Sequence, residues 1–292
     1  WFYLFFATSA WQGSASQWAN GHRVHHSEVD GNEDPYSIRK GFWFAHFKWM
    51  LFQMDGQAPR AADLEKEPGL RFQHDHYIVL GILCGYFVPA LIGYFMNDFW
   101  GGLIVLGGLR VVATQQSTWF VNSLAHFWGQ QTYTDENSAR DNLIVAFLTL
   151  GEGYHNFHHK FQIDYRNGVR WYHWDPTKWW IRGLALVGAA RKLKRVQATD
   201  VLKARLAMEA RRLHLKGYSK DYLESLKERM LLAQAQIRKL REESLRMRQQ
   251  GQLAFEQRRE ELKAKIELQK ADFQNALQHW RILLKTPVKI HG

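Results

Sequence analysis

The sequence predicts an all-α protein: apolar helices set in a membrane, capped by a histidine-rich region and extended at the C-terminal end by further helices. Three observations carry that expectation. Residues 77–96 contain no charged side chain, which is enough length to cross the hydrocarbon core as a helix. Two segments, Gly21-His22-Arg23-Val24-His25-His26 and Gly151-Glu152-Gly153-Tyr154-His155-Asn156-Phe157-His158-His159, repeat one HxxHH spacing. Positions i, i+3 and i+4 share a helix face, so each box turns three imidazoles the same way. Finally, apolar residues at 226, 230, 233, 237 and 240 follow the 3-4 alternation of a heptad.

Composition narrows the class. Hydrophobic residues make up 46% of the chain and aromatics 14%, including 13 Trp. That is heavy for a soluble protein and suits aromatic belts at a membrane interface. The one cysteine, Cys84, lies in an apolar run, which excludes a disulfide framework and a thiolate metal site and fits chemistry facing the cytosol. The net charge of +11 is uneven: residues 1–195 carry 18 Lys+Arg against 16 Asp+Glu, and residues 196–292 carry 21 against 12. The basic excess therefore belongs to the extension and not to the histidine region.

In chain order, residues 3–26 read as one helix, apolar early and polar late, that delivers the first box at its C-terminal end. The chain opens inside an apolar stretch with no charged region before it, unlike a signal peptide, and the expectation is that longer sequence precedes it. Asp30-Gly31-Asn32-Glu33-Asp34-Pro35 is a turn cluster. Residues 41–52 read as a helix lying on the membrane surface, with His46 a hydrogen-bonded structural histidine, and residues 55–76 as a polar loop. After the first span, residues 99–121 read as a second, interrupted by Arg110; a charge at that depth must face protein or water. Gly81-x-x-x-Gly85 and the glycines at 101, 102, 107 and 108 read as close helix packing. Asn122 and His126 are four apart and share a face. Residues 135–141 form a polar turn, and residues 142–150 a short apolar helix leading into the second box. In the extension the heptad runs on to Met247. It resumes through Phe255, Leu262, Ile266, Phe273 and Trp280 with its frame shifted at Gln250-Gly251, a stutter or a hairpin bend. The Lys/Arg-rich face there is solvated surface, with no nucleic-acid partner expected.

The boxes, together with Asp34-Pro35, Arg39-Lys40-Gly41-Phe42, residues 119–129 and residues 151–161, resemble the membrane fatty acyl desaturases of the stearoyl-CoA, or delta-9, type. Asp164-Tyr165-Arg166-Asn167-Gly168, Trp171-Tyr172 and Trp174-Asp175-Pro176 resemble the bacterial branch. The resemblance covers residues 2–196. It implies a multi-pass integral membrane protein with a di-iron cap on the cytosolic face, in a bacterial inner membrane rather than the endoplasmic reticulum. His22, His25, His26, His126, His155, His158 and His159 would be iron ligands, and Asn122 would reach one iron through water. Trp119 would hold the acyl carbonyl, and Arg39 and Lys40 would contact phosphate. The family's HxxxxH box and the two spans that carry it have no counterpart here and are expected upstream. Where the animal acyl-CoA enzymes have Arg-Asp before the HxxHH box, this chain has Asn20-Gly21, which leaves acyl-CoA and acyl-lipid substrates both open.

The implied reaction is an O2-dependent cis-desaturation of a long-chain acyl group by two Fe ions. No GxGxxG fold and no fused heme domain accompany it, so an external electron donor, cytochrome b5-like or ferredoxin-like, is expected. Structural zinc is disfavoured by many histidines without thiolates. A hydroxylase with the same histidine architecture is the sibling alternative, and a catalytically incomplete membrane scaffold is the alternative from a different class. The domain division expected is residues 1–196 for the desaturase domain and 197–292 for the helical extension, with self-association through the latter.

Overall fold

The computed structural model describes residues 1–52, 61–249 and 253–287, which form helices and connecting turns with two isolated bridges, Gln130 to Asp141 and Asp141 to Tyr154. Two compact units divide the chain: residues 1–131 with 136–193, and residues 132–135 with 194–292.

In the first unit the expected single helix over residues 3–26 is two, Phe2–Ser9 and Ala15–Ser27. The break is specified locally. Trp11 and Gly13 adopt positive φ, 56° and 88°, and Ser14 opens the second helix with a capping box to Gln17. Side chains distant in sequence then hold the break. The Tyr77 hydroxyl accepts from Gly13 N (2.9 Å), and His74 Nδ1 meets Ser14 Oγ (2.7 Å). Buried Gln73 bridges Ala15 N (3.0 Å) and the Thr8 hydroxyl (3.1 Å).

Of those partners, Gln73 and His74 come from a segment expected to be a loop, and Tyr77 from the start of the expected span. Residues 53–60 lie outside the described residues, but Pro68–Asp75 is a helix, with Pro68 in its first turn where a missing N–H costs nothing. Residues 41–52 are helical as expected, through a π-helical stretch Phe44–Lys48 and Trp49–Phe52.

Among the described residues one helix, Tyr77–Phe95, is long and apolar enough to cross a membrane. It presents Ile78, Ile82, Phe87 and Phe95 outward, as lipid contact requires. After a turn at Asn97 (φ 59°) the chain stays helical without a break through Phe99–Gly101, a π-helical stretch Gly102–Leu109 and Arg110–Asn122. Thr114, Gln115 and Gln116 make its second half too polar to pass as a span on composition. Arg110 faces protein: its guanidinium donates to Leu106 O (2.8 Å), Ser9 O (3.0 Å) and Gly85 O (3.2 Å). The glycines pack closely, as expected. A Cβ on Gly85 would lie 2.6 Å from the Trp11 indole nitrogen, and one on Gly93 would lie 2.6 Å from Gly102 Cα.

The second unit is a helical assembly of Ala198–Leu215, Lys220–Gln249 and Leu253–Lys285. Leu206, Leu213, Leu223, Met230, Leu277 and Trp280 belong to one core, and the Trp280 indole donates to Glu209 (2.7 Å). The last two helices run antiparallel. The Tyr222 hydroxyl meets His279 (2.9 Å), Arg229 pairs with Asp272, and Glu243 pairs with Arg258 (3.1 Å). The heptad positions Leu226, Met230, Ala233 and Leu240 are buried in this hairpin. Of the two sequence alternatives, stutter or hairpin, the hairpin is observed; the residues of the frame shift, 250–252, and the Phe255 side chain lie outside the described residues.

Candidate metal centre

Both HxxHH boxes are helical, the first in Ala15–Ser27 and the second in His155–Lys160. The second helix is short and is fixed from outside. Phe157 N donates to Asp141 Oδ1 (3.1 Å), Asn156 donates to Ala139 O (2.8 Å), and a Cβ on Gly153 would collide with the backbone of Ala146. Behind it, Asp175 accepts from Asn167 N and Gly168 N while capping Pro176–Leu186. Asn167 in turn donates to Glu152 (2.6 Å), and Lys178 donates to Gly168 O and Arg170 O. Residues 164–178 thus brace the box.

The seven histidines meet through Nε2, in two groups. His25, His126, His155 and His159 form a buried group; His22, His26 and His158 form a half-buried one. Nε2–Nε2 separations are 3.0 Å for His126–His155, His155–His159 and His26–His158, 3.1 Å for His22–His26 and 3.3 Å for His25–His159. The expectation that each box turns its three imidazoles the same way is corrected. In each box the i and i+4 members join one group and the i+3 member joins the other.

Burial opposes protonation of six of the imidazoles, His22, His26, His126, His155, His158 and His159. Burial, reinforced by His158 and His25, pushes His22 down to about 3, and burial with His158, His22 and His25 pushes His26 down to about 2. Burial also lowers His126, His155, His158 and His159. Neutral imidazole is the ligand form. Ligands about 2.1 Å from one ion at right angles are about 3 Å apart, which matches the observed spacings. On the outer side, His25 Nδ1 meets the Asp34 carboxylate (2.9 Å) and His126 Nδ1 meets Ser138 Oγ (2.7 Å). Outer hydrogen bonds of this kind fix the tautomer of metal-binding imidazoles. The residues present fit a transition-metal ion in each group.

The other expected site residues sit as follows. Asn122 is buried at the end of Arg110–Asn122, one turn before His126, and makes no hydrogen bond to any of the seven histidines. The Trp119 indole Nε1 is buried without a partner, ready to donate to something bound. Arg39 and Lys40 are exposed in a 3₁₀ turn, Ile38–Lys40, but the Lys40 ammonium is turned back onto Asn32 O (3.1 Å) and Asp34 O (3.3 Å). His46 stands apart from the groups, between Ser123 Oγ (2.9 Å) and Gln116 (3.1 Å), as a structural histidine does. Sequence reasoning missed Asp30 and Ser138. A carboxylate four residues after the box was visible, but only as part of a turn cluster.

The fold and the site define a helical protein built around a buried polyhistidine cluster, beside a helix able to cross a membrane. Residues 1–191 match the family model described as fatty acid desaturase, and the chain belongs to that family. It is 43% identical over 219 residues to an acyl-CoA desaturase 1 of Saccharomyces cerevisiae, covering 74% of this chain and 43% of that protein. A chloroplastic palmitoyl-monogalactosyldiacylglycerol delta-7 desaturase of Arabidopsis thaliana is 34% identical over 197 residues, 66% of this chain and 52% of the other. A stearoyl-CoA desaturase 5 of Bos taurus is 32% identical over 206 residues, 67% and 62%. The chain thus spans from 43% to 62% of the length of these relatives. All three are eukaryotic and lend nothing to the bacterial likeness of residues 164–176.

Proposed function

We propose that the chain acts in the O2-dependent cis-desaturation of a long-chain fatty acyl group, at the delta-9 position, presented as a CoA thioester or on a lipid. Two hydrogens leave adjacent methylenes; with two electrons and two protons from an external donor, O2 becomes two waters. Iron is the metal assigned to both histidine groups, and when bound it supplies the oxidising power that an unactivated C–H bond demands. The observation that carries this reading is the convergence of seven Nε2 atoms in two groups. The names of the relatives supply the substrate class, and they include both CoA-linked and lipid-linked acyl chains.

The residues of this chain position and exclude. The unpartnered Trp119 Nε1 would donate to the acyl carbonyl, and Asn122, buried one turn before His126, would help hold the metal on that side. Arg39, exposed beside the committed Lys40, meets phosphate when the carrier is CoA. Burial of His25, His126, His155 and His159 keeps bulk water from the inner group. The helix from residue 99 to 122 serves as a second span, making the protein multi-pass, with the histidine groups at the cytosolic face of the membrane and residues 1–196 as the desaturase domain. Electrons come from a cytochrome b5-like or ferredoxin-like donor.

The test is metal and product together. Anaerobically purified protein should carry iron at both histidine groups and, given a reductant and an acyl donor, yield a cis-monounsaturated chain. His158→Ala should lose iron from the outer group and abolish product. Stoichiometric zinc in active protein, or an iron-loaded protein that yields only hydroxylated product, would overturn the reading.

A further inference from the structure

The loop after the first box contributes two carboxylates to the inner histidine group, and only one of them is adjacent to its histidine. Asp34 meets His25 directly. Asp30 lies on the other side: its Oδ1 accepts from the Ser138 hydroxyl (2.6 Å) and its Oδ2 from Ser138 N (2.6 Å), while Ser138 Oγ lies 2.7 Å from His126 Nδ1. The two acids are tied together, since Asp30 N donates to Asp34 Oδ2 (3.0 Å). Both are buried, and Asp30 holds φ at 65°, a conformation that Asp and Asn tolerate better than other non-glycine residues.

The proton positions follow from the donor inventory. A hydroxyl has one hydrogen, and the Asp30 carboxylate, which only accepts, takes it. Ser138 Oγ therefore accepts from His126, which places the imidazole hydrogen on Nδ1 and leaves the lone pair on Nε2, toward His155. The outer group has nothing equivalent: His26 Nδ1 is buried without a partner, and His22 Nδ1 has the Tyr36 phenol at 3.5 Å.

We propose that Asp30, acting through Ser138, is a positioning residue that fixes the tautomer and ring orientation of His126 and so sets the metal affinity of the inner histidine group. This rests on the reading of that group as a metal site. Carboxylate-backed imidazoles are better ligands, and removal of such a partner typically weakens metal binding 10–100-fold.

The experiment titrates metal-free, full-length protein in detergent with Co(II), following its absorption bands, for the wild type, Ser138→Ala, Ser138→Thr and Asp30→Asn. Wild type should bind in two steps. Ser138→Ala should weaken one step about 10–100-fold and leave the other unchanged; Asp30→Asn should weaken the same step, and Ser138→Thr, which keeps a hydroxyl, should restore it. Ser138→Ala also removes the hydroxyl that donates to buried Asp30, so its metal-free protein should melt below the wild type while Ser138→Thr melts with it. The reading is therefore taken from the selective loss of one Co(II) step and not from the melting point. Unchanged Co(II) affinity in Ser138→Ala, or a loss at both steps that follows a lowered metal-free melting point, overturns the proposal while leaving the metal site standing. A wild type that binds no Co(II) overturns the metal reading and the proposal with it.

Discussion

The turn between the helix Tyr77–Phe95 and the helix beginning at Phe99 brings backbone against backbone, and replacing Gly102 by alanine tests how much that approach matters. A Cβ there would lie 2.5 Å from Pro89 O, 2.7 Å from Gly93 Cα and 2.9 Å from Gly93 N. Carbon contacts relax at about 3.5–4.0 Å, so the two helices must part by about 1 Å. None of the three atoms belongs to a side chain that could swing away. Overpacking of this kind costs about 1–3 kcal/mol, offset by roughly 0.5–1 kcal/mol from removing a helical glycine. The net expectation is destabilisation. Gly108, on the same helix, is the internal control: a Cβ there meets nothing within 4 Å, so Gly108→Ala keeps only the gain. Thermal unfolding in detergent, read by tryptophan fluorescence, should show opposite signs for the two variants, separated by several degrees. A Gly102→Ala protein as stable as Gly108→Ala would refute the close approach.

Trp119→Phe should leave the melting temperature of the resting protein unchanged, because the indole nitrogen has no partner to lose, yet lower kcat/KM by the equivalent of about 1–3 kcal/mol. Equal kinetics would remove Trp119 from the acyl site. His173, stacked on Tyr154 at 4.5 Å, is pushed down to about 4 by burial and then by Lys178 and Arg170. Its native form therefore resists a proton that the unfolded chain accepts below about 6.5, and its stabilisation, full above that pH, is lost as pH falls toward 4. His173→Phe keeps the stacked ring and removes the titration. Its melting temperature should fall less between pH 7.5 and 5.0 than that of the wild type, the smaller fall corresponding to about 1 kcal/mol of stability once partial exposure is discounted; parallel falls would refute this.

What the sequence made legible was local. HxxHH on a helix, the apolar helix within residues 77–96 and a short helix within residues 142–150 each depend on neighbours within a few turns, and each forms. What it concealed depends on partners far along the chain. The break between Phe2–Ser9 and Ala15–Ser27 is held by Gln73, His74 and Tyr77, residues assigned to a loop and to the start of a span. The Asp30–Ser138 contact joins positions 108 residues apart, and neither residue stands out alone. The heptads illustrate the limit differently: a 3-4 seam asks for an apolar partner but does not say whose. The chain supplies its own, with Leu226, Met230, Ala233 and Leu240 covered within the hairpin.

The division of each box between the two histidine groups has a geometric cause with a functional consequence. At 3.6 residues per turn, positions i and i+4 lie roughly 40° apart around a helix, and i+3 stands roughly 60° to the other side of i. A metal-sized target in front of the helix is reached by the i, i+4 pair, while the i+3 imidazole points past it. Two such helices facing each other resolve this reciprocally. His155 and His159 share a group with His25, and His22 and His26 share the other with His158. Neither box builds a group alone, and each group is completed by the member its own helix could not aim. Rotation or displacement of either helix therefore changes the geometry of both groups at once. That coupling is the physical reason for bracing: the second box is fixed by Asp141, Asn156 and Gly153 and the first by the Ser14 cap and the Asp34 carboxylate. A helix six residues long has too few hydrogen bonds of its own to hold that orientation, and the contacts from residues 139–146 and 164–178 supply it.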